Sequence, residues 1–132
     1  MIALQKACRR NVIRRISAFV NGGADMEKRI QDELNIIKDI IIRTVPVKRI
    51  YLFGSYAQGK ANADSDLDIY VVIPESADIR EIDAMRMIHR AIRDKKSMPV
   101  DVVVGKEKKF NRRRTAPTIE RTIVQEGAVI YE

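Results

Sequence analysis

Hydrophobic positions along this 132-residue chain recur with two different periods, and the periods predict its elements. Val12, Ile13, Ile16, Phe19 and Val20 repeat at helical spacing, with Arg9, Arg10, Arg14 and Arg15 on the other side, so residues 2–20 read as an amphipathic helix. Asn21-Gly22-Gly23 stops it, because glycine accepts the left-handed conformation that closes a helix. A second helix starts near Asp25, buries a stripe of Ile30, Leu34, Ile37 and Ile41 with Ile40 beside them, and ends before Val45-Pro46. Residues 49–53 and 67–73 are rich in β-branched and aromatic residues and read as strands, the second closed by Pro74. A helix over 78–94 follows, on Ile79, Ile82, Met85, Ile88, Ala91 and Ile92. Val100 to Val104 is a third strand, stopped by Gly105. A basic loop over 106–115 then leads to a helix from about Thr118 to Glu126. Gly127 ends that helix, and Ala128 to Tyr131 can add an edge strand. The succession predicts an α/β (α+β) domain, a small mixed sheet flanked by helices, with an extra N-terminal helix.

Composition narrows the chemistry. One cysteine, Cys8, excludes an internal disulfide framework, and one histidine, His89, excludes His/Cys zinc sites. Any metal must therefore be a hard cation held by carboxylates. No apolar run approaches the roughly 20 residues that span a bilayer, and the start of the chain does not read as a secretory signal. The expected setting is a reducing cytoplasm, with no membrane partner. Lysine and arginine number 25 against 18 acids, a net charge of +7. Residues 1–25 hold five of those bases and one acid, so most of the excess sits in the N-terminal segment. Charge alone does not make the chain a nucleic-acid binder.

Three features between Leu52 and Asp101 carry chemistry. Gly54-Ser55 closes the first strand, where a glycine lets the backbone turn sharply and aim N–H groups and a hydroxyl at a phosphate; most such pairs are only turns. Asp66 and Asp68 open the second strand. Side chains alternate along a strand, so these two face the same way, about 6–7 Å apart. Two like charges beside a hydrophobic strand repel, and a divalent cation such as Mg²⁺ would relieve them. The blander reading is an exposed strand entrance. Asp101 lies inside Pro99-Val100-Asp101-Val102-Val103-Val104, either as an edge-strand charge or as the third member of a carboxylate cluster. Elsewhere Lys60 reads as a solvated loop lysine, and His89 as a packing or surface residue. Lys106, Lys108, Lys109, Arg112, Arg113 and Arg114 form a basic cluster open to triphosphate, nucleic acid, an acidic partner or solvent alone.

Gly54-Ser55, ten residues, then Asp66-x-Asp68 resembles the GS-x10-DxD signature of the DNA-polymerase-β-like nucleotidyltransferases. YLFGSYAQGKANADSDLDIYVVI looks like the small prokaryotic branch, the minimal nucleotidyltransferases, and the resemblance covers about residues 26–132. It implies a nucleotidyltransferase-like fold. Gly54 and Ser55 would hold the nucleotide triphosphate, Asp66 and Asp68 would bind two Mg²⁺, and Asp101 would complete the metal site and help activate an acceptor hydroxyl. A nucleoside monophosphate, AMP from ATP, would pass to that hydroxyl with loss of pyrophosphate.

Relatives with large acceptors carry a second domain that these residues leave no room for, so the acceptor is expected on another molecule, a second copy or a separate partner. The resemblance suggests a HEPN-domain protein encoded nearby, a toxin whose tyrosine is modified, with this chain as antitoxin. Two other classes stand beside that one: a module that neutralises its partner by contact alone, and a basic nucleic-acid binder. The second of these has no need of clustered acids. Residues 1–25 depart from the family pattern. They read as a helix that packs on the domain or mediates oligomerisation, as a basic partner-binding arm, or as an upstream extension before a natural start at Met26.

Overall fold

The computed structural model describes residues 23–62 and 64–132, with side chains from Lys28 onward. The helix expected over residues 2–20 lies outside them. Helix α1 (Gly23–Thr44) buries Ile30, Leu34, Ile37 and Ile41 to 2% exposure or less, as its periodicity requires. The Thr44 hydroxyl donates to the Ile40 carbonyl at 2.6 Å in the last turn. Val45 and Pro46 then lead to strand β1 (Arg49–Phe53). Helix α2 (Ser55–Gln58), strand β2 (Leu67–Ile73), helix α3 (Glu81–Ile92) and strand β3 (Val100–Lys106) follow. Helices α4 (Glu107–Arg113) and α5 (Ile119–Glu126) and strand β4 (Ala128–Tyr131) complete the described chain. Among the described residues no helix is long and apolar enough to cross a membrane.

The strands form one mixed sheet in the order β3-β2-β1-β4. β1 is antiparallel to both β2 and β4, while β3 is parallel to β2, with α3 as the crossover between them. Parallel pairing needs such a crossover, since a tight turn cannot return the chain to the same end.

Alternation along β2 divides the domain into two cores. Leu67, Ile69, Val71 and Ile73 face the larger one, beneath α1 and α3. Tyr70 and Val72 face the smaller one, with Tyr51, Phe110 and Ile123. Phe110 is fully buried there, its ring centroid 5.4 Å from those of both Tyr51 and Tyr70. On the opposite side, buried Glu33 accepts the Ser97 N–H at 2.9 Å and the Ser97 hydroxyl, which ties the approach to β3 onto α1.

Three sequence expectations need correcting. The segment 106–115 is not a plain basic loop: seven of its residues form α4, because Phe110 in its middle is an anchor for the smaller core. Gly105 does not stop β3, which runs on to Lys106. A Cβ at Gly105 would lie 2.1 Å from the Tyr70 hydroxyl oxygen, so the glycine makes room for that ring within the sheet. The third predicted helix is shorter than 78–94. Its buried side is Ala84, Ile88 and Ile92, which leaves Ile82 at 45% exposure. The chain after Gly54 forms one short helix, α2.

Removing the Phe110 ring should leave a cavity under α4 that the rigid sheet cannot close. Phe110→Ala is expected to lose about 3–5 kcal/mol of stability, read from the urea midpoint. Ile82→Ala, on the exposed side of α3, should cost less than about 0.5 kcal/mol.

Candidate active site

The site grows from the end of β1. Phe53 pairs with Asp68 in the antiparallel register, so the residue after Phe53 sits against that carboxylate. The residue is Gly54, with φ of 76°, where L side chains are strained. A Cβ there would also lie 2.1 Å from Asp68 Oδ2. Both facts demand glycine. The chain then coils at once into α2: the Gln58 N–H donates to the Gly54 carbonyl at 3.0 Å, and Gly59, with φ of 75°, closes the turn. Ser55 opens α2, and its hydroxyl makes no hydrogen bond among the described residues. Tyr56 beside it is buried and pins the turn to the larger core.

The return to β2 is held locally. Asn62 Oδ1 accepts the Asp64 N–H at 2.9 Å, and Ser65 Oγ accepts the Asn62 N–H at 2.9 Å. The Leu67 N–H donates to the Pro99 carbonyl at 3.0 Å. Asp66 is thereby delivered, exposed, to the start of the strand.

In the parallel ladder Asp68 is the direct partner of Asp101, and Leu67 of Val100. Leu67 and Val100 point into the larger core, so Asp68 and Asp101 share the opposite face, that of Tyr70 and Phe110. Like charges directly opposite each other destabilise a sheet. Asp68 is half-buried, and its carboxyl is held above the usual carboxylate range by burial first, then by Asp101 and Asp66. Among the described residues no lysine, arginine or histidine forms a salt bridge with Asp66, Asp68 or Asp101. Among the described residues these carboxylates therefore repel one another with no salt-bridged cation between them.

Does that donor set fit magnesium? Among the described residues no three acidic, histidine or cysteine side chains close into a ready-made metal cage. Mg²⁺ does not ask for one, since it takes one or two carboxylates and fills its octahedron with water and phosphate oxygens. Paired acids beside an open glycine turn suit that demand.

Other sequence candidates fall elsewhere. Lys60 is exposed, and its backbone N–H donates to the Ser55 carbonyl at 2.9 Å. His89 packs toward β3, with Nε2 3.4 Å from the Val102 carbonyl oxygen. Sequence reading missed Arg29 and Tyr56. Burial holds the Tyr56 hydroxyl above its ordinary range, Arg29 opposes this and Asp66 adds to it, so α1 brings a cation to the edge of the site. Nothing at helical spacing distinguishes Arg29 from its charged neighbours, and the α2 turn that carries Tyr56 is too short to show a period.

Comparison with known proteins bears on this geometry. The model of the nucleotidyltransferase domain family matches residues 34–130, a stretch that holds Gly54, Ser55, Asp66, Asp68 and Asp101. MJ0604 of Methanocaldococcus jannaschii, by name a candidate protein adenylyltransferase, is 30% identical over 105 residues, which make up 80% of this chain and 97% of that protein. A candidate nucleotidyltransferase from Sulfolobus solfataricus superposes with a TM-score of 0.58 over 83% of this chain and 87% of that one, and at 24% identity the likeness shows the fold. A mutant of the toxin–antitoxin complex MntA–HpeT superposes with a TM-score of 0.52 at 27% identity, over 75% of this chain and 72% of the matched one. With the glycine turn, the carboxylates and their sheet all inside the matched stretch, the chain belongs to the nucleotidyltransferase domain family.

Proposed function

We propose that this nucleotidyltransferase is a cytoplasmic, Mg²⁺-dependent protein adenylyltransferase. It moves AMP from ATP to a hydroxyl, the side chain of a tyrosine on a HEPN-domain partner, and so acts as the antitoxin of a pair. One observation carries the catalytic half: Asp68 and Asp101 are ladder partners that form no salt bridge among the described residues, next to a turn that only glycine can make. The acceptor half is supported by the names of similar proteins, MJ0604 as a candidate protein adenylyltransferase and MntA–HpeT as a toxin–antitoxin complex.

The chain's own residues divide the work. Gly54 keeps the turn bare so that a triphosphate can approach the backbone, and the Ser55 hydroxyl is free to donate to a phosphate oxygen. Asp66, Asp68 and Asp101 would hold two Mg²⁺ ions. When bound, these ions supply the positive charge that stabilises the attacking and leaving oxygens of an in-line displacement. The acceptor oxygen bonds to the α-phosphorus, the bond from that phosphorus to the bridging oxygen breaks, and pyrophosphate leaves. Asp101, exposed on its strand, would take the acceptor's proton.

Incubation with α-labelled ATP, Mg²⁺ and the HEPN-domain protein should label that protein. Asp66→Asn should cut the rate by about 100-fold or more, as expected when transition-state charge stabilisation is removed. A tight complex with no label, unchanged in Asp66→Asn, would make the chain a contact inhibitor instead. Gly54→Ala should abolish transfer and cost about 1–2 kcal/mol of stability, since the new methyl group must displace Asp68 and the backbone must hold a left-handed angle.

Asp68 gives a test with opposite signs. Its folded pKa is raised above the unfolded value, so the folded state binds more protons and stability falls as pH rises through the window between the two. At neutral pH the ionised carboxylate therefore weakens the fold. Asp68→Asn should abolish transfer yet melt no lower than the parent in metal-free buffer at pH 7. Its gain over the parent should vanish at pH 3. A lower melting temperature at pH 7 would contradict this account.

A further inference from the structure

Positive charge on this domain is concentrated where no catalytic carboxylate needs it. Residues 106–121 hold Lys106, Lys108, Lys109, Arg112, Arg113, Arg114 and Arg121 against Glu107 and Glu120, a net +5, while the rest of residues 26–132 carries a net −2. Some of these bases are spent on internal ties. Lys109 pairs with Glu81 at 3.5 Å, Arg113 with buried Glu120 at 2.9 Å, and Glu107 receives Lys48 at 3.5 Å. Together with the Lys108 N–H, which donates to Glu75 Oε1 at 3.0 Å, they fasten α4 to the domain. Lys108, Arg112, Arg114 and Arg121 form no salt bridge among the described residues. Ile119 lies among them in sequence, an aliphatic side chain at 43% exposure.

The place of this corner matters as much as its charge. Phe110 roots α4 on Tyr70, the residue two along β2 from Asp68 on the same face. The other end of α5 reaches the glycine turn, where Gln58 Nε2 of α2 donates to Glu126 Oε2 at 2.8 Å. Eight residues of helix are about 12 Å long, so the corner and the turn are separated by the length of one short helix.

We infer that the α4–α5 corner is the docking face for the acceptor protein, and that it recognises an acidic surface that also carries apolar side chains. The inference rests on the reading above only for what the docked protein is there to receive. Arginines and an exposed aliphatic residue in one short segment have the composition of a protein interface, with the charges steering encounter and the apolar contact holding it. A single-stranded nucleic acid would want aromatic platforms for its bases, and among the described residues no aromatic side chain is exposed.

The test uses the full chain and no nucleotide, so it can fail independently of catalysis. The probe is a peptide of about seven Glu-Glu-Leu repeats, compared with oligo-dT of equal charge by fluorescence anisotropy. The peptide should bind more tightly than the oligonucleotide. Arg112→Glu/Arg121→Glu should weaken peptide binding by about tenfold or more, against less than about threefold for Lys95→Glu/Lys96→Glu, two exposed lysines just beyond α3. Circular dichroism should show both variants folded. Equal losses from the two variants would reduce the effect to net charge and overturn the inference. So would failure to bind the peptide, while tighter binding of the oligonucleotide would assign the face to nucleic acid. If the peptide binds as expected but labelled AMP is never transferred, the docking face stands and the catalytic proposal falls.

Discussion

Everything in this domain depends on the two-residue alternation of β2. It is an inner strand, paired on both sides, and its odd positions fill the larger core while Tyr70 and Val72 fill the smaller one. Asp68 belongs to the even set. A slip of one residue would drive that carboxylate under α1 and α3, among residues at or near zero exposure, with no group to pair it. The hydrophobic register that folds the sheet is therefore the same register that presents the acids. Once Leu67, Ile69, Val71 and Ile73 are buried, Asp68 has only one place to be, and the parallel ladder sets Asp101 beside it.

This explains why so much was legible in the sequence. Strand boundaries at Arg49–Phe53 and Leu67–Ile73 came from dense β-branched and aromatic runs, a signal that survives without tertiary information. Asp66, Asp68 and Asp101 stood out because each broke such a run or opened one. The stripe of α1 was equally plain, since a helix of 22 residues repeats its period many times. What was illegible depended on partners distant in sequence. The seven residues of α4 show one apolar side chain, Phe110, and its importance becomes visible only when Tyr51 and Tyr70 surround it. Gly105 reads as a stop until Tyr70 lies across it. The phase of α3 differs from the hydrophobic pattern because Ala84, a small residue, takes the buried place that hydrophobicity alone assigns to Ile82. Burial follows shape as well as polarity.

The site itself is built at the expense of the fold. Its carboxylates repel, its turn requires a positive φ, and the Ser55 hydroxyl has no hydrogen-bond partner among the described residues. The cores compensate: Asp68 is flanked along its strand by Leu67 and Ile69, both at zero exposure, and the turn is pinned by Tyr56. Rigid surroundings make it feasible to hold like charges in place until a counter-charge arrives.

Among the described residues β3 forms one border of the sheet, with β2 on one side and no further strand on the other. Most of its residues are valine, the composition that invites another chain to add itself to the ladder. Asp101 is the charge that interrupts this run, and it is exposed. The same carboxylate thus keeps the sheet from growing beyond its own molecule. A chain that drops this acid loses one of the paired charges beside the glycine turn and in the same step becomes stickier.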